Sequence, residues 1–393
     1  MKHRNRPLLA VALFAVAGTA SSGEIDVMVQ NQYLGTDLTP VITSPPELIS
    51  ERVIEALENV AASLPAERLE RLAALISHRS PHAVVLNEAF AYSCTDLPGT
   101  PATEGCGNQR IKGAFVDFLA STEANLAGKY VTRARVRNFA VAGLPFQIDG
   151  YLAFLSVQDR DAILVRSDVA PLSQPVPLAL GGCRASLEGC NYLAVPTIET
   201  ALGPITIERG YIAVDMLVSG QPYRIFGTHL EVRQIIPGPA GEPTRVLQRL
   251  QALELAQTAL AFPAAPGTRK LILGDINSAA TDGVGTLPTP IMPLPPPYAI
   301  FAGAGFTDVW TLRPGTATGA GAPLVGFSCC QDEDLGNHQS ALYERIDIIF
   351  SQTAPVKVLD ARLLGQSVAD KTWPKGFGVW PSDHASVAAR LRF

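Results

Sequence analysis

No charged run and no Ser/Gly-rich tract interrupts this 393-residue sequence, which argues against two domains joined by a linker. There is no positive excess either. A formal net charge of −5 gives no support for a broad nucleic-acid footprint and leaves room only for a local basic groove. After the first twenty residues no apolar stretch is long enough to cross a bilayer. The six cysteines lack the paired short spacing of zinc sites, which argues against a metal centre built from them. What remains is an ordinary globular composition, 47% hydrophobic, with material for one large core.

Lys2, Arg4 and Arg6 precede an apolar run from Leu8 to Ala17, and small residues follow at Gly18, Ala20 and Ser22. These are the parts of a secretory signal peptide over residues 1–20. The expected product is therefore secreted or periplasmic, with one catalytic domain over 24–393, monomeric and without an obligate protein partner. An even number of cysteines in an exported chain reads as disulfides. Proximity suggests Cys94 with Cys106 and Cys183 with Cys190. Cys329 and Cys330 are adjacent, so they either bridge each other or pair elsewhere.

The polar residues of interest sit where apolar strands end. Leu271-Ile272-Leu273 reads as a buried strand that stops at Gly274, then Asp275-Ile276-Asn277. Residues two apart on an extended chain face the same side, so Asp275 and Asn277 aim at one point, and Gly274 permits close backbone approach. Ile25, Val27 and Val29 alternate toward Asn31, and Ala83 to Leu86 delivers Asn87 and Glu88. Tyr223 to Phe226 runs into Gly227-Thr228-His229, Arg345 to Phe350 carries Asp347, and Asp383-His384 precedes the alternating last strand, Val387 to Phe393. Between them, Ile49 to Leu64, Leu69 to Ile76, Ala114 to Leu126 and Arg245 to Leu260 have helical spacing. Tyr151 to Ser156 and Ala162 to Val165 read as short strands joined by a polar turn, Gln158 to Asp161. A Pro-rich segment, 283–298, reads as a surface loop, and Trp373, Phe377 and Trp380 crowd another, where packing is favoured over ligand contact.

Collected, Asn31, Glu88, His229, Asp275, Asn277, Asp347, Asp383 and His384 have a chemical logic. Glu88 and Asn31, with Asp383 or Asp275, offer hard oxygen ligands to magnesium, manganese or calcium, magnesium being the expected ion. Two histidines supply proton transfer or hydrogen bonds, and Asp347 is suited to orient His384. The reaction this fits is metal-assisted hydrolysis of a phosphate ester by in-line attack of water.

The ordered series VQNQYLG, VVLNEAF, FGTHL, LILGDIN, ERIDIIF and WPSDHASV resembles the endonuclease/exonuclease/phosphatase superfamily over nearly the whole mature chain. The resemblance implies an α/β four-layered sandwich, two mixed β-sheets face to face with helices outside and the active site at one edge. It implies Glu88 as principal metal ligand with Asn31, and Asp383 in the metal or water network. His384 would be the base or its equivalent, oriented by Asp347. His229 would stabilise the transition state or protonate the leaving group, and Asp275 and Asn277 would align water and phosphate. More weakly, Arg160 resembles a phosphate-contacting arginine, and Asp149 a carboxylate that orients His229. Asn87, where Gln is usual, resembles the bacterial sphingomyelinases. The expected substrate is a phosphodiester, nucleic acid or phospholipid head group. A nuclease would need a basic groove, for which Arg133, Arg135, Arg137, Arg160 and Arg166 are the few candidates; the balance leans slightly to a nuclease. A sphingomyelinase-like lipid phosphodiesterase comes next, then a phosphomonoesterase and a non-catalytic binding protein.

Overall fold

A computed structural model describes residues 23–181, 183–185, 189–200, 203–233, 242–282, 294–314, 326–372 and 378–393. The expected signal peptide, most of the Pro-rich loop, Trp373 and Phe377 lie outside the described residues. In chain order, β1 (Glu24–Asn31) is followed by α1 (Thr39–Thr43), α2 (Ile49–Ala62) and α3 (Pro65–Arg79). Then come β2 (Ala83–Asn87), β3 (Ala91–Asp96), α4 (Phe118–Leu126), β4 (Tyr130–Ile148) and β5 (Tyr151–Arg166). Three short strands, β6 (Ser173–Pro175), β7 (Arg184–Ala185) and β8 (Cys190–Asn191), precede a hairpin, β9 (Thr197–Thr200) and β10 (Gly203–Thr206). The second half holds β11 (Gly210–Val218), β12 (Gln221–His229), α5 (Glu242–Ala261), β13 (Arg269–Asp275), α6 (Pro297–Gly303) and β14 (Thr307–Asp308). It closes with β15 (Asp347–Ser351), β16 (Lys357–Leu364) and β17 (Ser386–Arg392).

Apart from the two-stranded β9–β10 hairpin, these strands form two mixed sheets. One runs β16-β17-β1-β2-β5-β3 with β4 beside β5; the other runs β14-β15-β13-β12-β11-β8-β7 with β6 beside β11. Their inner faces share one apolar core, in which Val27, Val29, Val85 and Ile163 of the first sheet meet Val214, Ile225, Leu271 and Ile349 of the second. The helices cover the outer faces. In α2, Ile49, Val53, Leu57 and Val60 recur at the spacing that puts one stripe inward. α5 and α6 cover the second sheet through Ala252, Leu255 and Phe301. The result is the four-layered α/β sandwich expected from the sequence.

The β4–β5 ribbon differs from the sequence reading. Gln158 to Asp161 is no turn: β5 runs unbroken through it, with Asp159 and Asp161 buried. Those carboxylates stay in the sheet because they have partners, Asn138 and Asn87 for Asp161 and Arg209 for Asp159. β4 escaped notice because its register shifts between Thr132/Ala134, Arg137/Phe139 and Val141/Leu144, and each shift inverts the apolar alternation.

The three disulfides join Cys94 to Cys106, Cys183 to Cys190 and Cys329 to Cys330, with Cα separations of 5.7, 5.8 and 3.1 Å. Trp380 is fully buried, its indole N–H donating to the Asn337 carbonyl at 2.9 Å, so it packs the loop down. Among the described residues no helix is long and apolar enough to cross a membrane.

Asn87 ties the two sheets together. Its Nδ2 donates to Asp161 Oδ1 (2.8 Å) and across the core to the Thr228 carbonyl (3.0 Å), and its Oδ1 accepts from Asp275 N–H (3.0 Å). Truncation would leave three buried groups short of a partner at once. Asn87→Ala should therefore cost about 3 kcal/mol or more in urea unfolding; a loss within measurement error would show that the tie contributes nothing.

Candidate active site

Strand register assembles the site. His229 of β12, Asp275 of β13 and Asp347 of β15 are direct partners in one row across three adjacent strands. In the other sheet Asn31 of β1 is paired with Asn87 of β2, which places Glu88 just beyond the edge. The two rows face each other. Gly274 makes this possible at the second sheet: a Cβ there would stand 1.9 Å from the Thr228 carbonyl oxygen. Tyr33, Glu88 and Asn277 all have positive φ, at 62°, 53° and 47°. Asn tolerates that region, whereas for Tyr and Glu it costs energy of the kind stored at functional sites.

Asp275 is the hub. Its Oδ2 lies 3.2 Å from Asn31 Nδ2, 3.5 Å from His229 Nε2 and 3.8 Å from His384 Nε2, while Oδ1 accepts from Asn277 N–H at 2.9 Å. Asn31 Nδ2 also donates to Glu88 Oε1 (2.9 Å), and Glu88 Oε2 accepts from Leu34 N–H (2.8 Å). His384 Nδ1 is 2.7 Å from Asp347 Oδ2, and Asp383 Oδ1 lies 4.0 Å from His384 Nε2. The structure thus brings together Asn31, Glu88, His229, Asp275, Asn277, Asp347, Asp383 and His384.

The two histidines have opposite electrostatics. His229 is fully buried with Arg209 Nη1 3.1 Å from its Nδ1, so burial, Arg209 and His384 hold the imidazole well below its ordinary range. A guanidinium can only donate, so Nδ1 must accept and Nε2 carries the proton. His229 is therefore a neutral N–H donor pointing into the site. Burial alone would lower His384 too, but Asp347, Asp383 and Asp275 outweigh it and hold His384 well above. Burial raises Glu88, with Asp383 adding to the effect, and raises Asp383. Asp275 is pushed up to about 7 by burial and by Asp347.

Such carboxylates are short of positive charge, and Asp347 Oδ1 is buried without a partner. Arg68 and Arg209 do not supply the deficit. Arg68 spends its guanidinium on the carbonyls of Gln32, Tyr33, Ser63 and Pro381, and Arg209 is paired to Asp159 (3.4 Å) and Glu231 (3.2 Å). A cluster of hard oxygen donors with unmet negative charge fits a divalent cation. Glu88, Asn31 and Asp383 are the residues that would hold it. Asp275, Asp347 and His384 form a second acidic group with ligand atoms within 4.8 Å of one another.

Two expectations need correction or placement. Asp149 does not orient His229. It is the first residue of the two-residue Asp-Gly turn of the β4–β5 hairpin, with φ of 48° followed by 89° at Gly150, and it bonds Asn108 at 2.8 Å. Arg209 takes the place expected of it. Arg160 sits behind Glu88, donating to the Ala89 carbonyl (3.1 Å) and paired with Asp117 (2.6 Å). Arg209 and Arg68 were missed from the sequence. The signal for Arg209 was a charged pair, Glu208-Arg209, placed directly before the apolar strand β11. Arg68 had none, since one arginine on a helix reads as solvated.

Behind the site, burial and the neighbouring Asp159 push Asp161 up to about 8, and burial, opposed by Arg209, leaves Asp159 at about 6. These groups, with Asp275, hold a proton in the fold at a pH where the unfolded chain has lost it. Folding then takes up protons, so stability falls as pH rises from about 4 through about 8. Urea unfolding in chelator should show that decline, at most about 1.4 kcal/mol per pH unit for each carboxyl. Asp161→Asn should flatten it, and a level wild-type profile would contradict the assignment.

A search of the curated proteins found no match. Among solved structures, a mannosyl-6-phosphatase from Bacteroides thetaiotaomicron aligns with 94% of this chain and 100% of its own, at 14% identity and a TM-score of 0.50. A Beutenbergia cavernae endonuclease/exonuclease/phosphatase aligns over 94% and 72%, at 19% identity and 0.44. A humanized D. rerio TDP2 aligns over 94% and 99%, at 13% identity and 0.46. At these identities the likeness to the first of them is one of fold. The family model of the Endonuclease/Exonuclease/phosphatase family matches residues 58–384, most of the chain and most of the site just described. The chain belongs to the endonuclease/exonuclease/phosphatase family, whose members are divalent-metal-dependent phosphoester hydrolases.

Proposed function

We propose that this protein is an exported, magnesium-dependent phosphodiesterase that hydrolyses its substrate by in-line attack of water. The observation that carries the reading is the double row of strand-end groups: a metal-suited set at Glu88, Asn31 and Asp383 faces a proton-handling set at His229, Asp275 and the Asp347–His384 pair. A bound divalent ion would supply Lewis-acid neutralisation of phosphate oxygens. The chain's own residues do the rest. Asp347 holds His384 Nδ1, which leaves Nε2 as the atom that exchanges a proton at the site. His229 Nε2, 3.5 Å from Asp275 Oδ2, is the donor to a phosphoryl oxygen, and Asp275 aligns the attacking water. Preorganised donors of this kind stabilise developing charge without reorganising.

Charge favours a diester over a monoester. The cavity at the site is lined by Asp37, Glu88, Asp159 and Glu231, and Arg209, the cation among its lining residues, is paired to two of these. A monoanionic diester meets less repulsion there than a dianionic monoester. A nuclease needs a basic groove, and three of its five candidate arginines are engaged elsewhere. Arg133 bonds Ser173 and the Ala170 carbonyl, Arg160 bonds Asp117 and the Ala89 carbonyl, and Arg166 bonds Asp168 and the Ser80 carbonyl.

The test uses the mature chain, magnesium or chelator, and bis-p-nitrophenyl phosphate. Chelator should abolish hydrolysis, and His384→Ala should lower kcat by about a hundredfold to ten-thousandfold. Glu88→Gln should raise the magnesium concentration needed for half-maximal rate. Full chelator-resistant activity in Glu88→Gln would sink the proposal.

A further inference from the structure

A cavity of about 200 Å³ is lined by Glu88 and Arg209. A second cleft of about 80 Å³ adjoins it, with Thr36, Leu38, Ile42 and Phe139 lining both. The second cleft lies between α1, α2, the middle of the β4–β5 ribbon and the β9–β10 hairpin. Its open wall is made by Leu38, Ile42, Phe139, Val141, Leu144 and Ile205, all half-buried side chains with apolar surface still facing the cleft. The few hydroxyls are already used: Tyr92 donates to the Leu34 carbonyl (2.9 Å) and Thr200 to the Gly203 carbonyl (2.7 Å).

We propose that this cleft is the subsite for an aliphatic chain carried by the phosphodiester, so that the substrate is of the phospholipid class. The inference rests on the phosphodiesterase reading above and names its substrate. Three observations converge. The cleft adjoins the cavity lined by Glu88 and Arg209, so it lies within reach of a group esterified to a phosphate beside them. Its walls are apolar and partly exposed, and burying them with a chain removes water from both partners. A nucleobase could stack on Phe139, but three hydroxyls, of Thr36, Tyr92 and Thr200, are the side-chain polar groups in the lining, too few to read its edges as a base reader does.

The test is a series of p-nitrophenyl phosphodiesters whose second ester is methyl, butyl, octyl or thymidine 5′, hydrolysed by the magnesium-loaded mature chain. Each gives p-nitrophenol and the corresponding monoester. We expect kcat/KM to rise by about threefold for each methylene that enters the cleft. Val141→Asn and Ile205→Asn should lower the octyl value about tenfold and leave the methyl value unchanged. A flat alkyl series, or a preference for the thymidine ester, would overturn the subsite while leaving the phosphodiesterase standing. If no ester is hydrolysed, the catalytic reading fails, and calorimetry decides the subsite independently. Octylphosphocholine monomers should bind more tightly than phosphocholine, and both variants should lose the difference; equal affinities would refute the proposal.

Discussion

Like charge held at close range is the constraint on which the rest of this structure depends. Asp275 and Asp347 are direct partners on neighbouring antiparallel strands, an arrangement that repulsion disfavours unless something fixes it. The sheet fixes it. Leu271, Ile272 and Leu273 on one strand, with Ile348, Ile349 and Phe350 on the other, are all buried. A one-residue slip would exchange Leu271, Leu273 and Ile349, packed between the sheets, with Ile272, Ile348 and Phe350, packed under the helices, so close packing on both faces enforces register and the carboxylates have no freedom to part. Local hydrogen bonds then distribute the cost: His384 takes Asp347, Asn277 N–H and Asn31 take Asp275, and Leu34 N–H takes Glu88. The remaining deficit of positive charge is what a divalent ion relieves, and in that sense metal binding and the stability of this edge are one problem.

Two buried arginines act on the shape of the site. Arg68 reaches from α3 to carbonyls of Gln32 and Tyr33 on one side and of Pro381 on the other, pinning together the loops that carry the Asn31 and Asp383 regions. Burial lowers its guanidinium to about 10, still charged at neutral pH. Arg209 spans Asp159, Glu231 and His229 Nδ1, and so fixes the tautomer of the histidine across the sandwich from the metal-suited set.

The candidate site was legible where polar residues interrupt apolar strands. Asn31, Glu88, His229, Asp275 and Asp347 each end or begin a run of buried residues, and a short apolar run announces its own ends. Asp159 and Asp161 were misread for the complementary reason. A polar stretch inside a strand looks like a turn until its partners are known, and those partners, Asn87, Asn138 and Arg209, are distant in sequence. Asp149 was assigned by position along the chain, yet a two-residue Asp-Gly hairpin carries its own local reason for an aspartate. β4 shows a third limit: bulges shift the alternation on which strand reading rests.

On the proposed reading, chemistry and recognition occupy two adjoining clefts. The catalytic groups come from strand ends, where the sandwich dictates position, and they handle a phosphate whatever is attached to it. The adjoining walls come from α1, the β9–β10 hairpin and the bulged β4–β5 ribbon, elements free to vary without disturbing the core. A polyanion binds by matching each phosphate to a cation. Here Asp37, Glu88, Asp159 and Glu231 line the cavity, and Arg133, Arg160 and Arg166 are committed to local partners. Affinity in such a cleft has to come from burial of apolar surface. A substrate with one negative charge and a hydrocarbon chain meets both halves of it: the phosphate needs the charge-deficient edge, and the chain needs the unfilled wall.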